Sequence, residues 1–532
     1  MVTRNPLITS PIVTEKIGFY LSGNYYMSVI VGEKTTRICF PICSQNSLFC
    51  FELTNLIDRN EIAGKTWFGY ETDSKIIMPP DRPGFFIKKE GEPFTGNPGA
   101  TSRIFWDMPH ETDIMRTQWS DVPVVYSNLG SSYPAIAFLG RDGGYYVAIG
   151  DTPDRAVLSC IHLARTGWQK LEEESLAFAS RVVHRDDPII FSNVMLSIFY
   201  SNSRCVDTDG DCIMASKSPE YYVASGFWSR DFVLWTLPLL ETVDRERAKQ
   251  LVDLMLTRYW KNKGIHALYL DGRVLYDGFE LDQLTAYLIA IYKALEWEIR
   301  TESEAGQLVN EILEVLEKWK APDLCIFGTE LDSSDDPVIN RYVTYNNVLL
   351  WHSLDRLSSI MKDSIHSKPL WNLAGCLKKS IMENMIDPQS GAFCYSTDLK
   401  GSYEMYDNPT GSLLLLPYLG FVHSESQVMK KTVSLIMSEK NRWIIHGKFS
   451  GLSNRHVPHP WIHHFASLLL YGDPRGLILR NAPLDSGLAC ETIDVNTGVC
   501  LTGIHFPGAS GFMSYAMTRK PFVSGIRNDK DQ

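Results

Sequence analysis

Two adjacent carboxylates stand directly ahead of a predicted helix. Asp335 and Asp336 precede an amphipathic pattern that begins near Tyr345, and a further carboxylate, Glu491, is isolated on a distant loop. In a chain with 13 Trp and 24 Tyr, acids on two separate loops predict hydrolysis of a glycosidic bond. One carboxyl group would protonate the leaving oxygen while the other activates water or attacks directly. A like charge beside a carboxyl group favours retention of its proton, so the pair suits the donor role, and either member fits it.

These acids also have a structural interpretation. Two solvated aspartates are common before a helix, and a lone loop glutamate is usually only hydrated. Asp332 and Glu330 lie nearby and are rival candidates for the proton donor.

A short aromatic and charged segment, residues 227–232, opens another predicted helix. Arg230 and Asp231 are placed to hydrogen-bond vicinal sugar hydroxyls, and Trp228 offers an apolar platform for the CH face of a ring. The alternative is that Asp231 caps the helix and Arg230 pairs with it.

Further candidates for pocket-lining residues lie in aromatic loops before predicted helices. Asp282 follows the segment 276–280, where an acid in the first turn also suits the helix dipole. Four histidines occur between positions 456 and 464, and histidine is the commonest metal ligand. Pro460 interrupts the turn between His459 and the histidine four residues on, so His459 and Trp461 are interpreted as cleft wall and no metal is predicted.

Composition and charge restrict the classes of partner. The net charge is -11 and no run of five Lys or Arg occurs, which argues against nucleic acid and anionic membranes. No apolar span reaches 18 residues, no signal peptide precedes the first strand, and the 11 Cys lack a C-x-x-C motif. A cytoplasmic protein with free buried thiols is therefore expected, although Cys205 and Cys212 could form a bridge. No organic cofactor is implied, and no oligomeric state is predicted.

The hydrophobic period changes near residue 186. Residues 1–185 contain short β-branched and aromatic runs between Pro, Gly and Asp turns, one of them at 84–89, which predicts an antiparallel β-sandwich. Residues 186–520 show about eleven helical patterns with long polar and aromatic loops, and 521–532 form a tail. Among the predicted helices are 189–200, 245–260, 303–320 and 411–421. An (α/α)6 barrel is favoured over a helical solenoid because no fixed repeat is present.

Several blocks of the second half resemble glycoside hydrolase family 125, the inverting exo-α-mannosidases built on an (α/α)6 barrel. Residues 334–347 align without a gap with that family's Ser-Asp-Asp stretch, its following Tyr and its paired polar residues before a helix. Residues 406–420 and 441–461 match further blocks in order. The resemblance implies that the Asp335/Asp336 pair supplies the general acid and Glu491 the general base. The residues it implies in sugar binding are Tyr342, Asn347 and Asp407.

The first half resembles another family. Residues 18–41 are similar to the opening β-sandwich of the glucoamylase-like family 15 enzymes, and residues 491–498 resemble the base segment of that family.

The sequence thus predicts a β-sandwich on an (α/α)6 barrel that acts as an inverting exo-glycoside hydrolase on an oligosaccharide or glycoside, with an α-mannoside favoured. A glucoamylase-like α-glucosidase or glucodextranase, a related phosphorylase and a non-catalytic carbohydrate-binding protein are the alternatives.

Overall fold

The computed structural model describes residues 187–205, 210–213, 226–269, 272–362, 364–484, 487–504 and 506–519, with isolated positions between 157 and 181 and the backbone of ten strands before residue 151. Those early strands pair antiparallel, and the longest ladder joins Ala135–Arg141 to Gly144–Gly150. The others are Val2–Arg4, Phe19–Leu21, Met27–Val31, Lys34–Ile38, Trp67–Thr72, Ile77–Met78, Ser102–Asp107 and Val124–Tyr126. The predicted strand at 84–89, the side chains of Cys205 and Cys212, and the tail at 521–532 lie outside the described residues.

From residue 188 onward helices dominate the part of the chain that the structure describes. They are α1 (Pro188–Ser201), α2 (Leu237–Val243), α3 (Arg245–Thr257), α4 (Leu281–Glu296), α5 (Glu302–Glu317), α6 (Thr344–Ile360), α7 (Ser367–Asn384), α8 (Gln427–Ile436), α9 (Ile462–Tyr471) and α10 (Pro507–Thr518). A π-helical turn, Asp231–Thr236, leads into α2. Shorter 3₁₀ turns occupy Trp260–Asn262, Pro409–Gly411, Leu413–Leu415 and Pro474–Asn481.

The helices alternate between two kinds. Helix α4 is buried on every side over its first eleven residues, whereas α5 buries only one stripe, Ala305, Val309, Ile312 and Leu316. The same contrast separates α6 from α7. A helix that is buried all round lies inside a protein, and one with a single apolar stripe covers it from outside. This pattern fits inner and outer helices of an (α/α)6 barrel.

Helix packing follows the chain and then closes on itself. Helix α3 packs on α4, α4 on α6, α6 on α7 and α9 on α10, while α10 returns to α1 and to the π-helical turn. Contact between the last and the first helices is what a closed ring of hairpins requires. No helix in the described ranges is both long enough and apolar enough to span a bilayer.

Short antiparallel hairpins connect the helices at the loops that carry the candidate acids. Their strands are Asn202–Cys205 with Gly210–Ile213, Ile265–Leu268 with Val274–Phe279, Tyr342–Val343 with Ser396–Thr397 and Tyr403–Glu404, Ile444–Ile445 with Gly451–Leu452, and Thr492–Ile493 with Cys500–Thr502.

The prediction of a helix over 411–421 is wrong. Ser412 has extended backbone angles and its hydroxyl accepts from the Leu414 amide, which separates two 3₁₀ turns. The Asp407 carboxylate holds this break because it accepts from the Ser412 hydroxyl at 2.6 Å and from the Leu413 amide at 2.9 Å. The run of leucines that imitates a helix is buried for packing.

Candidate active site

The loop of residues 332–336 is folded around the Asp332 carboxylate. One oxygen accepts from the amides of Ser334 at 2.9 Å and Asp336 at 3.3 Å, and the other accepts from the Asn408 side chain at 3.1 Å. Asp335 has a φ of 66°, in the left-handed region that non-glycine residues rarely occupy. Such strain at a polar loop persists only where its surroundings fix it, and here it turns Asp335 and Asp336 in different directions.

Asp335 points toward the Arg230 guanidinium. Its Oδ1 lies 2.6 Å from Nη2 of Arg230 and 3.6 Å from Nε2 of His266. Burial acts to raise the pKa of Asp335, but the charges and hydrogen bonds of His266 and Arg230 outweigh it and hold that pKa well below its usual range. Asp335 is therefore a carboxylate that keeps its charge.

Asp336 has a different environment. Its Oδ1 lies 3.8 Å from Nδ1 of His456, and its buried Oδ2 has no hydrogen-bond partner among the residues that the structure describes. The side chain is 17% exposed, so it faces a partly open space beside the loop. A carboxylate oxygen without a hydrogen-bond partner in the described part of the protein is available to contact a bound ligand.

Arg230 is surrounded by acids. Nη1 lies 2.6 Å from Oε2 of Glu280 and 3.2 Å from Oδ2 of Asp282, and Nε lies 3.6 Å from Oδ1 of Asp231. Together with Asp335, these are more negative charges than one guanidinium balances. Burial first, then the neighbouring carboxylates, raise the pKa of Asp231 to about 8, and the pKa of Glu280 rises well above its usual value for the same reasons.

Glu491 begins the last hairpin. Its amide donates to the carbonyls of Thr502 and Gly503, and its carbonyl accepts from the first amide of α9, Ile462, at 3.0 Å. The side chain is buried, and burial raises its pKa although the Thr502 hydroxyl and the His456 charge oppose this rise. The charge of Asp335 also acts on Glu491 and raises its pKa further. The two acid loops therefore lie within electrostatic reach of each other.

The structure places Trp228 and Trp461 close to these acids. Trp228 is 3% exposed and its ring centre lies 6.1 Å from that of His266. Trp461 bridges to the residue after Glu491, and its indole Nε1 donates to Oδ1 of Asn454 at 3.2 Å. Trp228 thus lies next to the Arg230 cluster and Trp461 next to the Glu491 hairpin, and a role of either ring in sugar binding stays a prediction.

Other predicted ligands are used within the protein. The Asn347 side chain bonds the amide and carbonyl of Phe327, and the Asp407 carboxylate holds the turn at Ser412. Tyr342 is buried in a strand opposite Thr397. Asn347 and Asp407 thus make these hydrogen bonds within the protein, and a role of any of the three residues in sugar binding stays a prediction.

Asp282 and His459, two further predicted pocket residues, differ in their burial. Asp282 is fully buried and reaches the site only through Arg230. His459 is partly exposed and its charge acts on Asp494, in the hairpin that follows Glu491.

Sequence reasoning missed four residues that complete the site. His266 and Glu280 join the Arg230 cluster. The Ser334 hydroxyl donates to the side-chain oxygen of Asn408 at 2.6 Å and accepts from the side-chain nitrogen of Asn454 at 2.8 Å. Asn454 thereby ties the loop of His456 to the loop of Asp336. Only Glu280 carried a signal, as an acid in an aromatic loop before a helix.

One group of possible metal donors exists in the described ranges. Atoms of His266, Glu280 and Asp335 lie within 4.8 Å of one another. The Arg230 guanidinium is 2.6 Å from both carboxylates and already supplies the positive charge there. The arrangement fits an ion-pair network, and we assign no metal to it.

Comparisons with known proteins place this site in context. Residues 323–471 match the family model of the metal-independent α-mannosidases of glycoside hydrolase family 125. A Schizosaccharomyces pombe protein, the meiotically up-regulated gene 157 protein, is 28% identical over 213 residues. That match covers 36% of this chain and 42% of the yeast protein, so the chain spans less than half the length of this curated relative.

Two solved structures share the fold. The first is a metal-independent α-mannosidase from Streptococcus pneumoniae in a non-productive complex with α-1,6-mannobiose (17% identity, TM-score 0.51, 64% of this chain and 97% of that chain). The second is a bacterial glucoamylase complexed with acarbose (12% identity, TM-score 0.54, 71% and 63%). The barrel predicted from the sequence is therefore the fold of known glycosidases.

Proposed function

We propose that this chain is an inverting, exo-acting glycoside hydrolase that releases a terminal α-linked sugar, with an α-mannoside as the favoured substrate. The observation that carries the proposal is that the loop of Asp336 and the hairpin of Glu491 meet at one segment. Asp336 lies 3.8 Å from His456, and Trp461, five residues further on, bridges to Thr492 next to Glu491. Two carboxylates on loops that meet in this way can enclose one site. That is the arrangement that glycoside hydrolysis uses.

Asp336 is the proposed general acid. Asp335 is tied to Arg230 and keeps its charge, so it has no proton to give at neutral pH. Asp336 has a buried oxygen without a partner among the described residues, and a proton there would reach a glycosidic oxygen bound beside it.

Glu491 is the proposed general base. Its raised pKa makes its carboxylate a stronger acceptor for a proton of the attacking water. Inversion requires room for that water, so we expect the two reacting carboxyl groups roughly 6.5–9.5 Å apart. If the two roles were exchanged, Glu491 would donate and Asp336 would accept.

Arg230, Asp231 and Trp228 are proposed to hold the terminal sugar, and Trp461 and His459 to form the wall of the pocket. The Trp228 indole N–H has no partner in the described part of the chain, which leaves a donor for a sugar hydroxyl. A mannoside is favoured because the matched family model is an α-mannosidase model and spans Asp336 and Trp461. We also propose that the early strands form the β-sandwich of a separate domain at 1–185, and that the barrel domain covers 186–520.

The proposal is tested by sugar release from an aryl α-mannoside and α-1,6-mannobiose, with maltose and isomaltose as α-glucosides. Asp336→Asn and Glu491→Gln should each lower kcat by about 10²–10⁴-fold, the usual contribution of a positioned acid or base. Asp398→Asn is the control because this exposed aspartate only accepts amide bonds within its own turn.

Each outcome has a defined meaning. Added azide should restore turnover in Glu491→Gln and not in Asp336→Asn, because azide replaces the activated water; the reverse result would exchange the two roles. Faster hydrolysis of maltose than of the mannosides would overturn the substrate, and a dependence on phosphate would indicate phosphorolysis. If both variants release sugar as fast as the wild type, the assignment of the two acids is wrong. If the wild type releases no sugar from any of these substrates, the barrel is non-catalytic toward them and the proposal is wrong.

A further inference from the structure

His456 lies beside the acid loop of Asp336, on the segment whose Trp461 bridges to Thr492, next to Glu491. Its Nδ1 is 3.8 Å from Oδ1 of Asp336, and its charge also acts on Glu491 and Asp335. The side chain is 47% exposed, so the ring contacts both the interior of the site and the solvent. This exposed imidazole thus lies next to one proposed reacting group and within electrostatic reach of the other.

An inverting hydrolase finishes each turnover with its protons misplaced. The acid has given its proton to the leaving oxygen and is a carboxylate, while the base has taken a proton from water and is a carboxylic acid. A proton must leave the base and another must reach the acid before the next substrate reacts. An imidazole exchanges protons readily near neutral pH, which suits it to this transfer.

We propose that His456 is the proton-relay residue that resets Asp336 and Glu491 after each turnover. This inference rests on the proposed function. The imidazolium gives its Nδ1 proton to the Asp336 carboxylate, which becomes the carboxylic acid. The neutral imidazole then takes up, through water, the proton that Glu491 releases. One proton leaves Glu491, one arrives at Asp336, and His456 ends as it began.

The loop of His456 is built to keep this contact. The side-chain Oδ1 of Asn454 accepts from the Val457 amide at 2.8 Å and from the Trp461 indole, which closes the loop around His456. The Asn454 amide donates to the Ser334 hydroxyl at 2.8 Å, two residues before Asp336. Asn454 therefore joins the relay loop to the acid loop through a buried side chain.

The charges around His456 favour its protonated form. The groups that act on it are Asp336, Asp335 and Glu491, and all three are acidic. The Asp336 carboxylate, 3.8 Å away, is the largest cause that raises the pKa of His456, to about 9, although partial burial opposes it. At neutral pH the ring therefore carries a proton whenever Asp336 is a carboxylate, which is its state after each turnover.

The test compares His456→Gln with the wild type on the best aryl glycoside. Glutamine keeps a polar side chain of similar reach but cannot relay a proton. We expect kcat to fall by at least about tenfold, within the usual range of acid–base contributions, while KM changes by less than about twofold. The loss should grow as the pH rises from about 6 to about 8.5, because reset from solvent then depends on an ever scarcer hydronium ion.

Imidazole in the buffer supplies a readout that a purely structural role would not change. It should restore part of kcat in His456→Gln and leave the wild type unaffected. His446→Gln is the matched control, because His446 is similarly exposed but pairs with Glu439. It should behave like the wild type.

The comparison of His456→Gln with the wild type distinguishes a failure of the relay from a failure of the proposed function. If the wild type hydrolyses the glycoside and His456→Gln keeps its kcat and pH profile, or gains nothing from imidazole, the relay is wrong while the proposed function stands. If the wild type releases no sugar from any glycoside, the proposed function fails first.

Discussion

Arg230 is the residue on which the charge balance of the site depends. It is 1% exposed and lies within 4 Å of carboxylate oxygens of Asp231, Glu280, Asp282 and Asp335. His266 contacts one of these acids, Glu280. Removing one member of a buried ion-pair network leaves charges that neither water nor a partner compensates. The guanidinium therefore serves the fold as well as a substrate.

Arg230→Met should lower the free energy of unfolding at neutral pH by about 3–5 kcal/mol. Arg230 lowers the pKa of Asp231 and Glu280, so its loss leaves both more strongly protonated in the folded state. A folded state that binds more protons loses stability as the pH rises, so the defect should be larger at about pH 8 than at about pH 5. Urea unfolding at both pH values measures it.

The control for this change is Arg475→Met, in a pair with Asp473 whose arginine side chain is 54% exposed. Exposed pairs contribute about 0–1 kcal/mol, so this variant should unfold nearly like the wild type. If Arg230→Met costs no more than Arg475→Met, or costs more at the lower pH, the network does not hold the charges described here.

The sequence predicts only part of the contacts that these residues make. Asp335, Asp336 and Glu491 were identified as acids, but their sequence neighbours do not show that Asp335 faces Arg230 while Asp336 faces His456. That division depends on the left-handed backbone at Asp335 and on contacts more than a hundred positions away. Loop geometry of this kind follows from tertiary structure and has no periodic signal.

At the scale of elements, the last hairpin positions Glu491 through Gly503. This glycine has a φ of 54°, and a Cβ at this position would lie 2.4 Å from Cβ of Glu491. Two nonbonded carbons cannot approach so closely, so any side chain at Gly503 must displace Glu491. The glycine is thus part of the machinery that fixes the base.

Gly503→Ala should lower kcat by at least about tenfold, because a displacement of about 1 Å in a catalytic group costs up to 10²-fold. It should also cost more than about 1 kcal/mol of stability, since alanine is strained at positive φ. Steady-state kinetics and thermal unfolding measure the two effects.

Gly420→Ala separates these effects. Gly420 has a φ of 74° and open space where a Cβ would stand, so alanine there carries the backbone strain alone. It should lose stability and keep kcat. Equal activity of both alanine variants would show that Gly503 does not position Glu491.

Helices were the most predictable elements because their apolar residues recur with the helical period. The patterns at 189–200, 245–260 and 303–320 fall on α1, α3 and α5 with bounds that differ by at most three residues. The failure at 411–421 has the opposite cause. Four consecutive leucines give no information on period, and the Asp407 carboxylate stabilises a break there.

For the whole molecule, the return of α10 to α1 brings residues far apart in the chain to one end of the helical region. The loop after α5 carries Asp336, the loop before α9 carries His456, and the hairpin before α10 follows Glu491. Sequence could indicate an (α/α)6 barrel from the number of helices and the long loops between them. It could not fix the distance between the two acid loops, because that distance depends on how the ring closes.

Inverting hydrolysis between the loop of Asp336 and the hairpin of Glu491 is the central proposal. The most direct measurement is a proton NMR spectrum of an aryl α-mannoside with the wild-type protein, recorded before the released sugar mutarotates. We predict that β-mannose is the first anomer to appear and that Asp336→Asn does not form it. First appearance of α-mannose would contradict inversion, and release at the same rate by Asp336→Asn would contradict the assignment of the site.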